Sequence, residues 1–213
     1  MRNVTPVVLN LLIVNGIVYL VEFLVLQNLG EEVFYQYFTL WKINPEIGIR
    51  GAENFQAVQL VLHFFSHSPG SFMHILFNMI ALFSIGQGVE RVMGSKRFLQ
   101  FYLFSGLFGG LLTALFDPSP VPVLGASGAV AGVAIAFAMI FPNQKLILFP
   151  IFIPIKAWKL VGGFFLLTAG FVAYSFAYPK ESLGGISHFG HLAGMIAAIT
   201  YFYAMRLVNQ MKN

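Results

Sequence analysis

Four polar side chains, set in otherwise apolar stretches of this sequence, have the types needed to make and discharge an acyl intermediate: Ser127, His191, His74 and Asn78. Ser127, in Gly125-Ala126-Ser127-Gly128, carries a hydroxyl that attacks a carbonyl once a neighbouring base takes its proton. His191, in Ser187-His-Phe-Gly-His-Leu-Ala-Gly194, is the matching base, since a neutral imidazole accepts that proton. His74 and Asn78 are four apart, which puts them on one helix face. Both can donate hydrogen bonds, so together they could complete an oxyanion hole facing Ser127. Cysteine is absent, which excludes thiolate nucleophiles, disulfides and Cys-based metal sites.

The surroundings of these residues decide what they mean. Of 213 residues only 9% are charged and 58% are hydrophobic, where a soluble domain carries about 25% charge. So few charges cannot cover a soluble surface, so the chain reads as a polytopic membrane protein. The net charge of +4 is too small and dispersed for a nucleic-acid footprint. Apolar stretches recur at about 7–26, 73–89, 98–116, 127–141, 157–177 and 187–206, each near the length of a membrane helix. The first, Val7 to Leu26, is too long for a signal-peptide core and lacks a cleavage site, so it reads as a retained span. The expected architecture is all-α: a single domain, 1–213, of six membrane helices with a long, partly helical first loop. The aromatics of segment 27–72 suggest short helices lying in the interface. No internal repeat is present, which weakens a transporter reading.

Six spans put both termini on one side. With the N-terminus inside, the inner set of basic residues is Arg2, Arg91, Lys96, Arg97, Lys145, Lys156, Lys159, Arg206 and Lys212. The outer set is Lys42, Arg50 and Lys180. Nine against three obeys the positive-inside rule and makes both termini cytoplasmic. Spans 2, 4 and 6 then run from outside to inside. His74, Asn78, Ser127 and His191 all lie early in one of these, so they share a shallow depth at the outer side. Intramembrane polar groups are costly, and each is a functional candidate.

The fourth span is short: 15 residues from 127 to 141 reach about 22 Å of a roughly 30 Å core. Asp117-Pro-Ser-Pro-Val-Pro122, just before it, cannot be regular helix. Non-helical backbone at membrane depth is tolerated where it is buried in protein or lines a wet cavity. Ser127 would thus stand at a helix N-terminus in a wet recess, where backbone N–H groups favour developing negative charge. No carboxylate is expected at that depth, because the only Asp, Asp117, falls in an outer connection. A Ser–His dyad is expected rather than a triad.

Simpler readings exist for the same residues. Gly128-x-x-x-Gly132 is a helix-packing pattern, and His74 with Asn78 could be an interhelical hydrogen-bonding pair. His188 is assigned an interfacial structural role, and His63 and His67 structural hydrogen bonds in the first loop. The many phenylalanines are lipid-facing. A His-Glu-x-x-His metalloprotease is excluded by the spacing of His63, His67 and His74. An intramembrane aspartyl protease needs two aspartates. A Ser–Lys protease fails because Lys145, Lys156 and Lys159 map to the inner side. A solute transporter and a catalytically inactive membrane binding or quality-control protein remain as alternatives.

Gly-x-Ser-Gly, His-x-x-x-Asn in His74-Ile-Leu-Phe-Asn78, and His-Leu-Ala-Gly in the last span together resemble the rhomboid intramembrane serine proteases over about Gln59 to Met205. The resemblance implies Ser127 as nucleophile, His191 as general base, and His74, Asn78 and the Ser127 N–H as the oxyanion site. It implies that Glu90-Arg91 is the family's inner-loop Glu–Arg pair, contracted by one residue, and that Gly194 to Ala198 is the small-residue packing site. It implies single-span membrane protein substrates in the lipid bilayer, with small residues at the cleaved position. The expected location is a bacterial inner (plasma) membrane, with the site opening to the outer side. No cofactor, metal or nucleic acid is implied. The outer loop 178–186 and the fifth span, with Gly162, Gly163 and Gly170, are the candidates for cap and lateral gate. Three features depart from the family: Ala131 stands where some members have a tyrosine, Val58-Gln59 stands where Trp-Arg is common, and the loop between His67 and His74 is about two residues longer.

Overall fold

The computed structural model describes residues 3–43, 55–119, 121–148, 152–179 and 187–211, the side chains of 148 and 206–211 excepted. Helix α1, Pro6–Leu29, opens with proline in its first turn, where the missing N–H would be unpaired anyway. It ends at Gly30, whose φ of 88° lets the chain turn into α2, Glu31–Phe38. A short α3, Gln59–Leu62, follows in the first loop. Helix α4, Phe72–Ala81, continues through a π-helical segment, Leu82–Gly86, into α5, Gln87–Met93. Gly94, at φ 78°, breaks that rod and α6, Ser95–Phe116, begins.

After an irregular connection comes α7, Ser127–Ile140, which stops short of Pro142. Strands β1, Lys145–Leu148, and β2, Ile153–Lys156, form an antiparallel hairpin with Lys145 opposite Lys156. Helices α8, Ala157–Ala177, and α9, His188–Met211, complete the chain.

A helix therefore lies over each of the expected apolar stretches. Among the described residues, four are long and apolar enough to cross a membrane: Pro6–Leu29, Phe72–Met93, Ser95–Phe116 and Ala157–Ala177. Helix α7 is apolar but only 14 residues long. It is also the hub of the bundle, with Ala129, Val130, Ala131, Val133 and Ala136 in one buried cluster with Phe98, Phe101 and Tyr102 of α6 and Met195 of α9. The expected charge sorting falls in part on Arg2, Arg50, Lys180 and Lys212, which lie outside the described residues, as does 180–186 of the expected cap.

The connection before α7 is non-helical, as its prolines require, and it is fastened at several points. Leu40 and Val123 exchange backbone hydrogen bonds of 2.7 and 3.0 Å. Ile43 N–H donates to the Ala114 carbonyl, and Gly125 N–H to the His63 carbonyl. Lys42 forms a buried ion pair with Asp117, and the other Asp117 oxygen accepts from Ser119 N–H. Burial pushes the Lys42 ammonium below its ordinary value against the pull of Asp117. The first loop and this connection thus form one braced layer over the N-terminal end of α7.

Glu90 and Arg91 do not pair. Adjacent helical residues point about 100° apart, and the structure turns Glu90 inward and Arg91 outward. Glu90 accepts from the N–H groups of Val7 and Val8, at the start of α1, and from the Ser95 hydroxyl at the start of α6. Arg91 is exposed and donates to Gln87 on its own helix. The carboxylate ties three helices together by capping orphan donors.

Candidate active site

Ser127 is the first residue of α7, placed there by a backbone that only glycine adopts easily: Gly125 has φ 131°. A Cβ on Gly125 would also lie 2.9 Å from His74 Nε2 and 3.4 Å from Ser127 Oγ. The missing side chain therefore leaves a gap bordered by the serine hydroxyl and the His74 imidazole. First-turn N–H groups of a helix lack intrahelical partners, so the Ser127 end of α7 presents donors to the same gap.

His191 Nε2 and Ser127 Oγ are 2.8 Å apart, a hydrogen bond between residues 64 positions apart in sequence. Glycines hold α7 and α9 close enough to make it. A Cβ on Gly128 would stand 3.0 Å from the Gly190 carbonyl oxygen, and one on Gly132 3.0 Å from that of Gly194. A Cβ on Gly194 would overlap the Gly128 carbonyl oxygen outright. Gly109 of α6 also approaches the Gly194 backbone, with 3.1 Å from a would-be Cβ. The packing reading of these glycines and the catalytic reading of Ser127 are thus compatible, since the close packing sets the Ser–His distance.

The His191 ring lies 5.6 Å from that of Phe164 on α8, and its Nδ1 is buried with no hydrogen-bond partner among the described residues. His188 stacks on Phe171 at 4.3 Å, which fits the structural role expected of it. His63 also behaves as expected: its Nδ1 pairs with the Gln59 carbonyl, and its ring fills the space beside Gly110. Burial pushes His63 down to about 4, and His67 to about 3 with help from the His74 charge. Asn78 is buried on the His74 face, where its amide donates to the His74 carbonyl at 2.9 Å. That uses one of its two N–H donors. Behind Ser127 a small recess is lined by Ser105, Thr113, Ser187 and His63 as well as by the glycines. Its lining is mostly apolar, with these few polar side chains set into it.

A carboxylate does lie near this level, contrary to expectation. Glu22 of α1 is fully buried, and both its oxygens accept from the His67 N–H, at 3.2 and 3.0 Å. It faces the first loop and not His191, so it leaves the dyad expectation intact. The signal was present in the sequence: one acid inside an apolar run. Among the described residues no cluster of His, Cys, Asp or Glu could hold a metal ion.

A family model described as the Rhomboid domain matches residues 54–207. The chain belongs to the rhomboid family. Among curated rhomboids, it is 32% identical to "Rhomboid protein 1, mitochondrial" of Saccharomyces cerevisiae over 70% of this chain and 42% of that one. It is 33% identical to "Rhomboid protease GluP" of Bacillus subtilis over 57% of this chain and 22% of the relative. With "Rhomboid protease AarA" of Providencia stuartii the figures are 38%, 33% and 29%. The chain thus spans less than half the length of these curated relatives. Rhomboids generally are serine proteases that act on transmembrane substrates within the bilayer, and the apolar helices make this one a multi-pass integral membrane protein.

Proposed function

We propose that this rhomboid is an active intramembrane serine endopeptidase, a single domain of six spans that cleaves single-span membrane proteins near the outer face. The observation that carries the reading is the 2.8 Å bond between Ser127 Oγ and His191 Nε2 at the N-terminus of a helix too short to fill the bilayer. In the reaction, His191 takes the Ser127 proton as the oxygen attacks the scissile carbonyl. The oxyanion forms in the gap beside Gly125, held by the Ser127 N–H, His74 and the free N–H of Asn78. His191 then gives its proton to the departing amine, and a polypeptide end leaves. Water reaching Ser127 attacks the acyl-enzyme as His191 takes its proton; His191 returns that proton to Ser127 Oγ as the ester bond breaks, and the second product departs as a carboxylic acid. Two residues carry the proton traffic, because no carboxylate meets His191 among the described residues.

The Lys and Arg sorting supports cytoplasmic termini and a site opening outward. The membrane we favour is a bacterial inner (plasma) membrane; the named relatives include bacterial and mitochondrial proteins. An inert binding protein or a solute path gives no use to a serine held against an imidazole. The test is labelling of the detergent-solubilised protein by a fluorophosphonate probe. Wild type should label, and Ser127→Ala and His191→Ala should not. Wild-type labelling no stronger than that of Ser127→Ala would sink the protease reading.

A further inference from the structure

The first helix contributes one buried acid to the outer half of the molecule, and its partners are unusual. An ionisable side chain within an apolar 24-residue helix is retained only where something repays its desolvation. Glu22 meets no cation: the one ion pair among the described residues is Lys42 with Asp117. Both Glu22 oxygens instead accept from one backbone donor, His67 N–H, with the preceding Ser66 side chain as a further hydrogen-bond partner. One turn earlier on the same face of α1, the Tyr19 hydroxyl donates to the Pro69 carbonyl at 3.4 Å. Two α1 side chains, three residues apart, therefore grip one turn of the first loop, His67 to Pro69.

That turn touches the oxyanion histidine twice. The His67 ring lies 5.2 Å from the His74 ring at 63°. The next backbone donor, Ser68 N–H, is directed at His74 Nδ1 at 3.5 Å, a long contact at the edge of hydrogen bonding. Two consecutive N–H groups are thus divided, one to the Glu22 carboxylate and one to the His74 imidazole. A neutral imidazole has one donor and one acceptor nitrogen. If Nδ1 accepts from Ser68, the proton stands on Nε2, and Nε2 is the atom beside Gly125 and Ser127. The other tautomer would aim a lone pair at a developing oxyanion.

We propose that Glu22 is a positioning residue for the oxyanion site: it holds the His67–Ser68 turn so that Ser68 N–H meets His74 Nδ1 and keeps the His74 proton on Nε2, facing Ser127. The inference rests on the assignment of His74 to the oxyanion site made above. It gives α1 a part in the chemistry although that helix places no side chain against Ser127 or His191.

The test uses the full chain in lipid nanodiscs with 15N-labelled histidine. Wild-type His74 should show the Nε2–H tautomer, its signal identified by loss in His74→Ala. Glu22→Leu should shift His74 to a mixture and lower kcat on a membrane substrate about tenfold or more at unchanged KM. That is a part of the 10²–10³ lost when an oxyanion donor is removed outright. Glu22→Gln keeps a carbonyl acceptor for His67 N–H and should recover kcat to within a few-fold. An Nδ1–H tautomer in wild type overturns the proposal. So does Glu22→Leu with an unchanged tautomer, or Glu22→Gln as impaired as Glu22→Leu at wild-type melting temperature. If Glu22→Leu does not fold, Ser68→Pro, which deletes the donor to His74, must give the same tautomer shift, or the proposal fails. Should wild type neither label nor turn over, the protease reading falls, while the tautomer comparison still decides what Glu22 does.

Discussion

The seam of α7 with α6 and α9 and the contact of α8 with α9 obey opposite packing rules. Toward α6 and α9 the helices meet backbone to backbone, through Gly109, Gly128, Gly132, Gly190 and Gly194, with no room for a methyl group at several of these positions. The contact of α8 with α9 is made instead by side chains, Phe164 and Phe171 lying against the two α9 histidines. The α8 glycines, Gly162, Gly163 and Gly170, have nothing within 4 Å of a would-be Cβ. Half of the apolar window of α6 is buried, against 17% of that of α8. The seam that carries Ser127 and His191 is fixed by sterics, while the less buried helix beside it is the side we propose can shift. A protease acting inside a membrane needs both, a rigid pair of reacting groups and a side that yields to an incoming helix.

The largest effect should come from disturbing the seam. Gly194→Leu must separate α9 from α7, because even its Cβ overlaps the Gly128 carbonyl oxygen. A displacement of about 1 Å at reacting groups can lower turnover about 10²-fold, so activity on a membrane substrate should fall at least that far. Thermal unfolding of the same variant should show lost stability, and wild-type turnover would break the comparison.

The braced outer layer comes next. Lys42→Met leaves Asp117 buried without its partner, which should destabilise the protein by about 3–5 kcal/mol. Lys42→Met with Asp117→Leu should recover much of the loss, as read by melting temperatures in detergent.

Acid should act on that layer too. His63 and His67 are held below their ordinary 6.5, at about 4 and about 3. The unfolded chain therefore binds more protons than the folded one between those values. The stabilisation is complete above about pH 6.5 and is lost as pH falls toward 4 and then 3. His63 alone accounts for up to about 3 kcal/mol at 1.36 kcal/mol per pH unit. Melting temperature against pH should fall steeply over that range, and His63→Gln should flatten the curve.

The smallest effect belongs to α8. Gly163→Ala fills open space in a helix and should stabilise it by up to about 1 kcal/mol, without loss of probe labelling at Ser127. A crosslink between the second and fifth spans should reduce cleavage of membrane substrates and spare that labelling. Unchanged turnover would argue against entry of substrate beside α8.

Much of the candidate site could be proposed without coordinates, because a bilayer turns each polar residue at depth into a signal. Ser127, His191, His74 and Asn78 stood out for that reason, and the glycines around Ser127 announced close packing. What escaped depended on partners distant in sequence. Glu22 lies 45 residues from the amide it binds, and a single acid in an apolar run carries no mark of its partner. Glu90 was legible as a motif residue, but its neighbour Arg91 suggested a pairing that helical geometry forbids. The β1–β2 hairpin sits in a proline-containing connection, and prolines argue against strands. Its apolar strand residues are legible only once the Lys145–Lys156 register is known.

The π-helical segment Leu82–Gly86 has an effect at both ends of its rod. A π turn accommodates about one extra residue, which rotates everything beyond it by about 100° about the axis. Before the segment, one azimuth presents His74 to the gap beside Gly125. After it, the rotated azimuth presents Glu90 to the amides of Val7 and Val8. An uninterrupted α-helix of the same sequence would hold one of these two alignments and lose the other. The bulge acts as a phase shifter, by which one helix serves two different neighbours at two depths.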